Sequence, residues 1–111
     1  SILSNQVIAV LDMGYTLLED CGFTRAEAVR ATGQLVMRNI ENVLEAGCDG
    51  ALTGPIERND IETVKKHIAC MQNDDSDDVS LYKMLGTKLV NIAEKKNPDK
   101  DYTQMMELLR G

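Results

Sequence analysis

ALTGPIERNDIETVKKH, Ala51 to His67, interrupts an otherwise continuous series of helical patterns. Its first half joins Gly54 to Pro55, and proline drives the residue before it out of helical geometry. Ala51 to about Asn59 is therefore expected to be an irregular loop. Its second half restarts a helix: Asp60 is a good N-cap, and Ile61, Val64, Ile68 and Met71 recur at helical spacing over Ile61 to about Met71.

Working outward from that break, the flanks read as helix. Toward the N-terminus, Leu3, Val7, Leu11, Gly14 and Leu18 share one stripe from Ile2 to about Asp20. Ile8, Val10 and Tyr15 widen it beyond what a small monomer needs. Gly22 sits where a glycine ends a helix. Thr24-Arg25-Ala26-Glu27 is a capping box, with the Thr24 hydroxyl accepting from the Glu27 amide and the Glu27 carboxylate reaching back. A second helix then runs to about Ala46 on a stripe of Val29, Gly33, Val36, Ile40 and Val43, with Gly47 and Gly50 as terminators. Toward the C-terminus, Asn73 to Asp78 is an acidic loop in which Asp77 or Asp78 can cap a fourth helix ending near Lys96. Its expected buried stripe is Leu81 or Tyr82, Leu85, Leu89 and Ile92. Asn97-Pro98-Asp99 is a turn, and Tyr102 to Leu109 forms a last short helix. The fold expected is all-α with about five helices. Gly14, Gly33 and Gly86 sit mid-helix, where glycine costs about 1 kcal/mol relative to alanine; they suggest close helix crossings, within the domain or across a dimer interface.

Composition narrows the function classes. At 111 residues the chain is one domain by length and can bury a core without metal or disulfide staples. Aromatic content is low (Tyr15, Phe23, Tyr82 and Tyr102), and six methionines help fill apolar volume. The net charge of −6 argues against nucleic acid and anionic membranes as partners. Cys21, Cys48 and Cys70 are far apart without CxxC spacing, and His67 is the only histidine, so a zinc site lacks ligands. Reduced cysteines in a cytoplasmic protein are the expectation. The start at Ser1-Ile2-Leu3, without Met and inside an apolar pattern, suggests a domain cut from a longer protein.

No GxGxxG follows a strand and no GxxxxGK[ST] occurs, so no cofactor is expected to bind this chain alone. The acidic run from Asp74 lacks the Gly and Glu that a calcium loop requires at its sixth and twelfth positions, where Val79 and Leu85 stand. Asp60, Thr63 and His67 share one helical face. An imidazole beside a hydroxyl and a carboxylate has the groups for general acid or base work. The same three residues also suit a helix cap and a structural hydrogen bond, the reading favoured where no nucleophile or cofactor is near. Thr53-Gly54-Pro55 can present backbone amides and a hydroxyl to a ligand, or serve as a rigid turn. Arg58 can bind a carboxylate or phosphate bidentately, or pair with Glu57, Asp60 or Glu62.

The same stretch resembles an element of a family that joins an N-terminal Rossmann-like NAD(P)-binding domain to a helical C-terminal domain of unknown function. The family pattern reads LTGP(I/V)xRxDxxTVxxH, and Leu52, Thr53, Gly54, Pro55, Ile56, Arg58, Asp60, Thr63, Val64 and His67 match it. Ser4-Asn5, Asn42 and Tyr82 also look like family features, whereas Asn59 stands where the family often has Gly. The resemblance implies a helical fold similar to the C-terminal domains of phosphogluconate dehydrogenase and pyrroline-carboxylate reductase relatives. It further implies a homodimer, a partnering Rossmann-like domain in the same longer chain, and NAD(P) bound mainly by that domain. This chain would then be the dimerisation and substrate-side domain of an NAD(P)-dependent oxidoreductase, inactive as a fragment. Thr53, Gly54, Pro55, Arg58, Asp60 and Thr63 would face substrate and His67 would be catalytic, with no metal. The alternative is a non-enzymatic helical assembly module.

Overall fold

The computed structural model describes residues 1–71 and 77–111. These hold five α-helices and no strand: α1 (Ile2–Asp20), α2 (Arg25–Ala51), α3 (Ile61–Met71), α4 (Asp78–Lys96) and α5 (Thr103–Arg110). None of the described helices is long and apolar enough to cross a membrane. The chain divides into two compact units, Ser1–Ile40 and Glu41–Gly111, and the boundary falls inside α2.

In the first unit, Ser1 caps α1 by accepting from the Ser4 amide. The helix ends in a Schellman motif: the Phe23 amide donates to the Leu18 carbonyl and the Gly22 amide to that of Glu19, with Gly22 at φ 104°. The capping box forms as expected, with the Thr24 amide 3.0 Å from Glu27 Oε1 and the Glu27 amide 3.1 Å from Thr24 Oγ1. Arg25 then ties the start of α2 back to α1. Its guanidinium lies 2.9 Å from Glu19 and 3.2 Å from Asp12, and stands over the Tyr15 ring at 5.5 Å. Apolar burial in this unit is slight. α1 buries no residue, and in α2 only Ala28 is buried rather than the Val29–Val43 stripe. One helix packed on one other cannot cover a stripe this wide.

Gly47 breaks α2 at φ 79°, as a terminator should, but the chain resumes a helical turn through Gly50 to Ala51. Gly50 therefore sits inside helix instead of ending it, and the Leu52 amide closes that turn on the Cys48 carbonyl at 3.1 Å.

The second unit carries the core. Val64 and Ile68 of α3, Val90 and Ala93 of α4, and Tyr102, Met105 and Leu109 pack with Ile56 from the loop. The buried line on α4 is Gly86, Val90 and Ala93, about one residue round the helix from the stripe expected from sequence. Gly86 explains the rotation. A Cβ there would stand 2.8 Å from Leu109 Cδ2, so the missing side chain is what lets α5 lie against α4. Gly86 is thus a close crossing within the chain, whereas Gly14 and Gly33 have no neighbour within 4 Å of such a Cβ. Of the acidic loop, Asn73 to Ser76 lie outside the described residues. Asp77 takes the N-cap position of α4 without a side-chain capping bond.

Candidate functional site

The motif loop is built on one turn of helix. The Arg58 amide donates to the Gly54 carbonyl, the Asp60 amide to Pro55 and the Asn59 amide to Ile56, at 3.0, 2.8 and 3.1 Å. The last two bonds are the pair that closes a Schellman motif, and Asn59 occupies its left-handed position at φ 62°. Pro55 suits the first position of such a turn because its φ is preset and its missing N–H would be unbonded anyway. Gly54 enters it at φ 106°, a value side chains resist. Ile56 faces inward and is buried in the core, which sets the loop's depth.

A polar latch from the far end of the chain holds the turn. Lys96 Nζ donates to the Leu52 carbonyl at 2.6 Å and lies 3.9 Å from the Glu57 carboxylate. Asn97 Nδ2 donates to Glu57 Oε1 at 3.1 Å, the Tyr102 hydroxyl donates to the Glu57 carbonyl at 2.6 Å, and Asn59 Nδ2 donates to the Asp101 carbonyl at 2.7 Å. Sequence reasoning offered Glu57 only as a partner for Arg58 and gave Lys96, Asn97 and Tyr102 no role in the site. Lys96 and Tyr102 reach backbone carbonyls 44 and 45 positions away, and no local spacing encodes such pairs.

Asp60 caps α3 as expected. The Thr63 amide donates to Asp60 Oδ1 at 3.2 Å and the Thr63 hydroxyl to Oδ2 at 2.7 Å. Those two bonds, the hydroxyl's first, hold the Asp60 carboxyl below its ordinary range, with the charges of Arg58 and Lys66 adding to the effect. Arg58 is exposed, and among the described residues its guanidinium forms no ion pair. Thr53 is exposed as well.

His67 lies on the same face of α3, about 10 Å further along the axis at 1.5 Å per residue. It does not bond Asp60 or Thr63. Its partner is on α4: His67 Nδ1 is 3.0 Å from the Tyr82 hydroxyl, and the two rings meet edge to face at 84° with centroids 6.0 Å apart. Tyr82 is half-buried against the core, and that burial pushes its hydroxyl pKa up from 10.0.

A family model described as a domain of unknown function (DUF2520) matches residues 1–89. The chain belongs to this family. The matched stretch contains the whole motif loop, α3 and the His67–Tyr82 pair, whereas the latch residues Lys96 to Tyr102 lie beyond it. No curated protein and no solved structure matches the chain.

The polar residues of the loop and α3 thus fall into two groups. Asp60 and Thr63 are engaged with each other at the head of α3. Thr53, Arg58 and His67 stay exposed on its loop and outer face. A groove of about 700 Å³ runs between α4 and α5 beside Asn91, Glu94, Thr103 and Arg110. The exposed groups that remain are a cation at Arg58, a hydroxyl at Thr53 and an imidazole at His67.

Proposed function

We propose that this chain is the dimerisation and substrate-side domain of an NAD(P)-dependent oxidoreductase-like protein. The first helical unit associates with a second copy, and the motif face forms one wall of a cleft that a nucleotide-binding domain completes. The observation that carries the reading is the apolar surface of the first unit. Ile2, Leu3, Ile8, Leu35 and Met37 are each more than half exposed, from 57% to 83%. Large apolar side chains left open in such number on a helix pair point to an association surface. The exposed cation and hydroxyl of the loop and the imidazole of α3 suit a half-site: groups that orient a substrate while hydride transfer is left to the cofactor. In that arrangement Arg58 pairs with a substrate anion, and Thr53 or His67 polarises or protonates the carbonyl or imine that accepts the hydride.

A non-enzymatic assembly module is the competing reading, favoured by the engagement of Asp60 and Thr63 with each other in a helix cap. Fluorescence titration of NADPH and NADH against this chain and against a longer protein carrying it separates the two. Binding to the longer protein alone is the result expected. No binding to either would leave assembly as the function.

A further inference from the structure

The exposed imidazole of His67 meets a tyrosine that is itself fixed. Tyr82 packs its ring against the core formed by α3, α4 and α5, while His67 stands exposed on the outer face of α3. Of the two partners in the 3.0 Å hydrogen bond, the phenol is the anchored one and the imidazole the one being held.

The direction of that bond follows from counting donors. A neutral phenol has one O–H to donate, and a neutral imidazole has one N–H and one bare nitrogen. Among the described residues Tyr82 Oη has no other hydrogen-bond partner, and neither has His67 Nε2. If Nδ1 carried the proton and donated to Tyr82, the half-buried phenol proton would be left without a protein acceptor, at the cost that accompanies an unmade hydrogen bond. If the phenol donates to Nδ1, every proton within the pair is placed. Burial raises the Tyr82 pKa, which keeps that proton on the phenol.

We infer that Tyr82 is a positioning residue for His67: its hydroxyl donates to Nδ1, fixes the ring, and leaves Nε2–H as an outward donor for a carbonyl or carboxylate oxygen. With the ring so held, Nε2–H polarises an acceptor oxygen by hydrogen bonding. That the oxygen belongs to a substrate rests on the oxidoreductase reading above; the tautomer does not.

The chain has one histidine, so the imidazole signals in a long-range ¹H–¹⁵N correlation spectrum of the ¹⁵N-labelled protein need no assignment. At about pH 8.5, where an ordinary imidazole is neutral and a phenol still protonated, the wild-type spectrum should show protonated Nε2 and bare Nδ1. Tyr82→Phe keeps the ring in the core and removes the donor, so its spectrum should move toward an average of the two tautomers. A wild-type spectrum with the proton on Nδ1, or a Tyr82→Phe spectrum that overlays the wild type, would overturn the inference. If the variant loses its helical circular dichroism, the wild-type spectrum still decides: unaveraged shifts with bare Nδ1 support the held ring, and exchange-averaged nitrogen shifts overturn it. Because no cofactor is present, this result and the nucleotide titration fail independently.

Discussion

Asn59 shows how one residue fixes the motif. Its φ of 62° closes the turn that starts at Gly54, and its side chain reaches the Asp101 carbonyl. Left-handed geometry costs most L-residues about 1–2 kcal/mol, and asparagine and glycine tolerate it best. Asn59 meets that requirement and adds a long-range bond to Asp101. Asn59→Gly should keep the fold and lose only the Asp101 contact. Asn59→Val should destabilise by about 1–2 kcal/mol from the backbone alone. Urea denaturation of the two variants checks the order, and equal midpoints would contradict it.

At the scale of elements, helix starts were the most legible part of the sequence. The Thr24–Glu27 box and the Asp60 cap are local codes of three-residue span, and both form as written. Stripes were less legible where the partner surface lies elsewhere. The α4 stripe missed by about one residue because the approach of α5 at Gly86, a long-range event, sets which side faces in. The α2 stripe stayed exposed because too little of the chain covers it. Of the candidate site, Asp60 and Thr63 proved to be cap partners of each other. The His67 bond to Tyr82 joins two helices, and helical spacing within α3 could not have indicated it.

The same caps give a pH dependence. Asp60, Glu27 and Asp101 are all held below their ordinary range, each mainly by hydrogen bonds at a helix start: Thr63 for Asp60, Thr24 for Glu27 and Thr103 for Asp101. A depressed carboxyl pKa favours the folded state above the unfolded-state value, about 4. That contribution disappears as pH falls through the lower folded-state values. Thermal melts followed by circular dichroism should therefore be insensitive to these groups from pH 7 to about 5 and lose stability below about 4. Asp60→Asn should flatten part of that decline. An acid limb identical to the wild type would remove Asp60 from this role.

For the whole molecule, the contrast between the two units matters most. Residues from Glu41 onward bury Val64, Val90 and Met105 almost completely, whereas the first forty leave nearly every large apolar side chain in contact with water. Isolated helix pairs gain little from propensity alone and depend on a covered apolar face, so a second copy is the account's explanation for the first unit. Sedimentation equilibrium of the 12.3 kDa chain tests this directly, with Ile8→Lys as the control on the exposed face. Twice the chain mass is expected for the wild type, with a shift to the single-chain mass and retained helicity in the variant. A wild-type protein that stays at single-chain mass up to its solubility limit would contradict it.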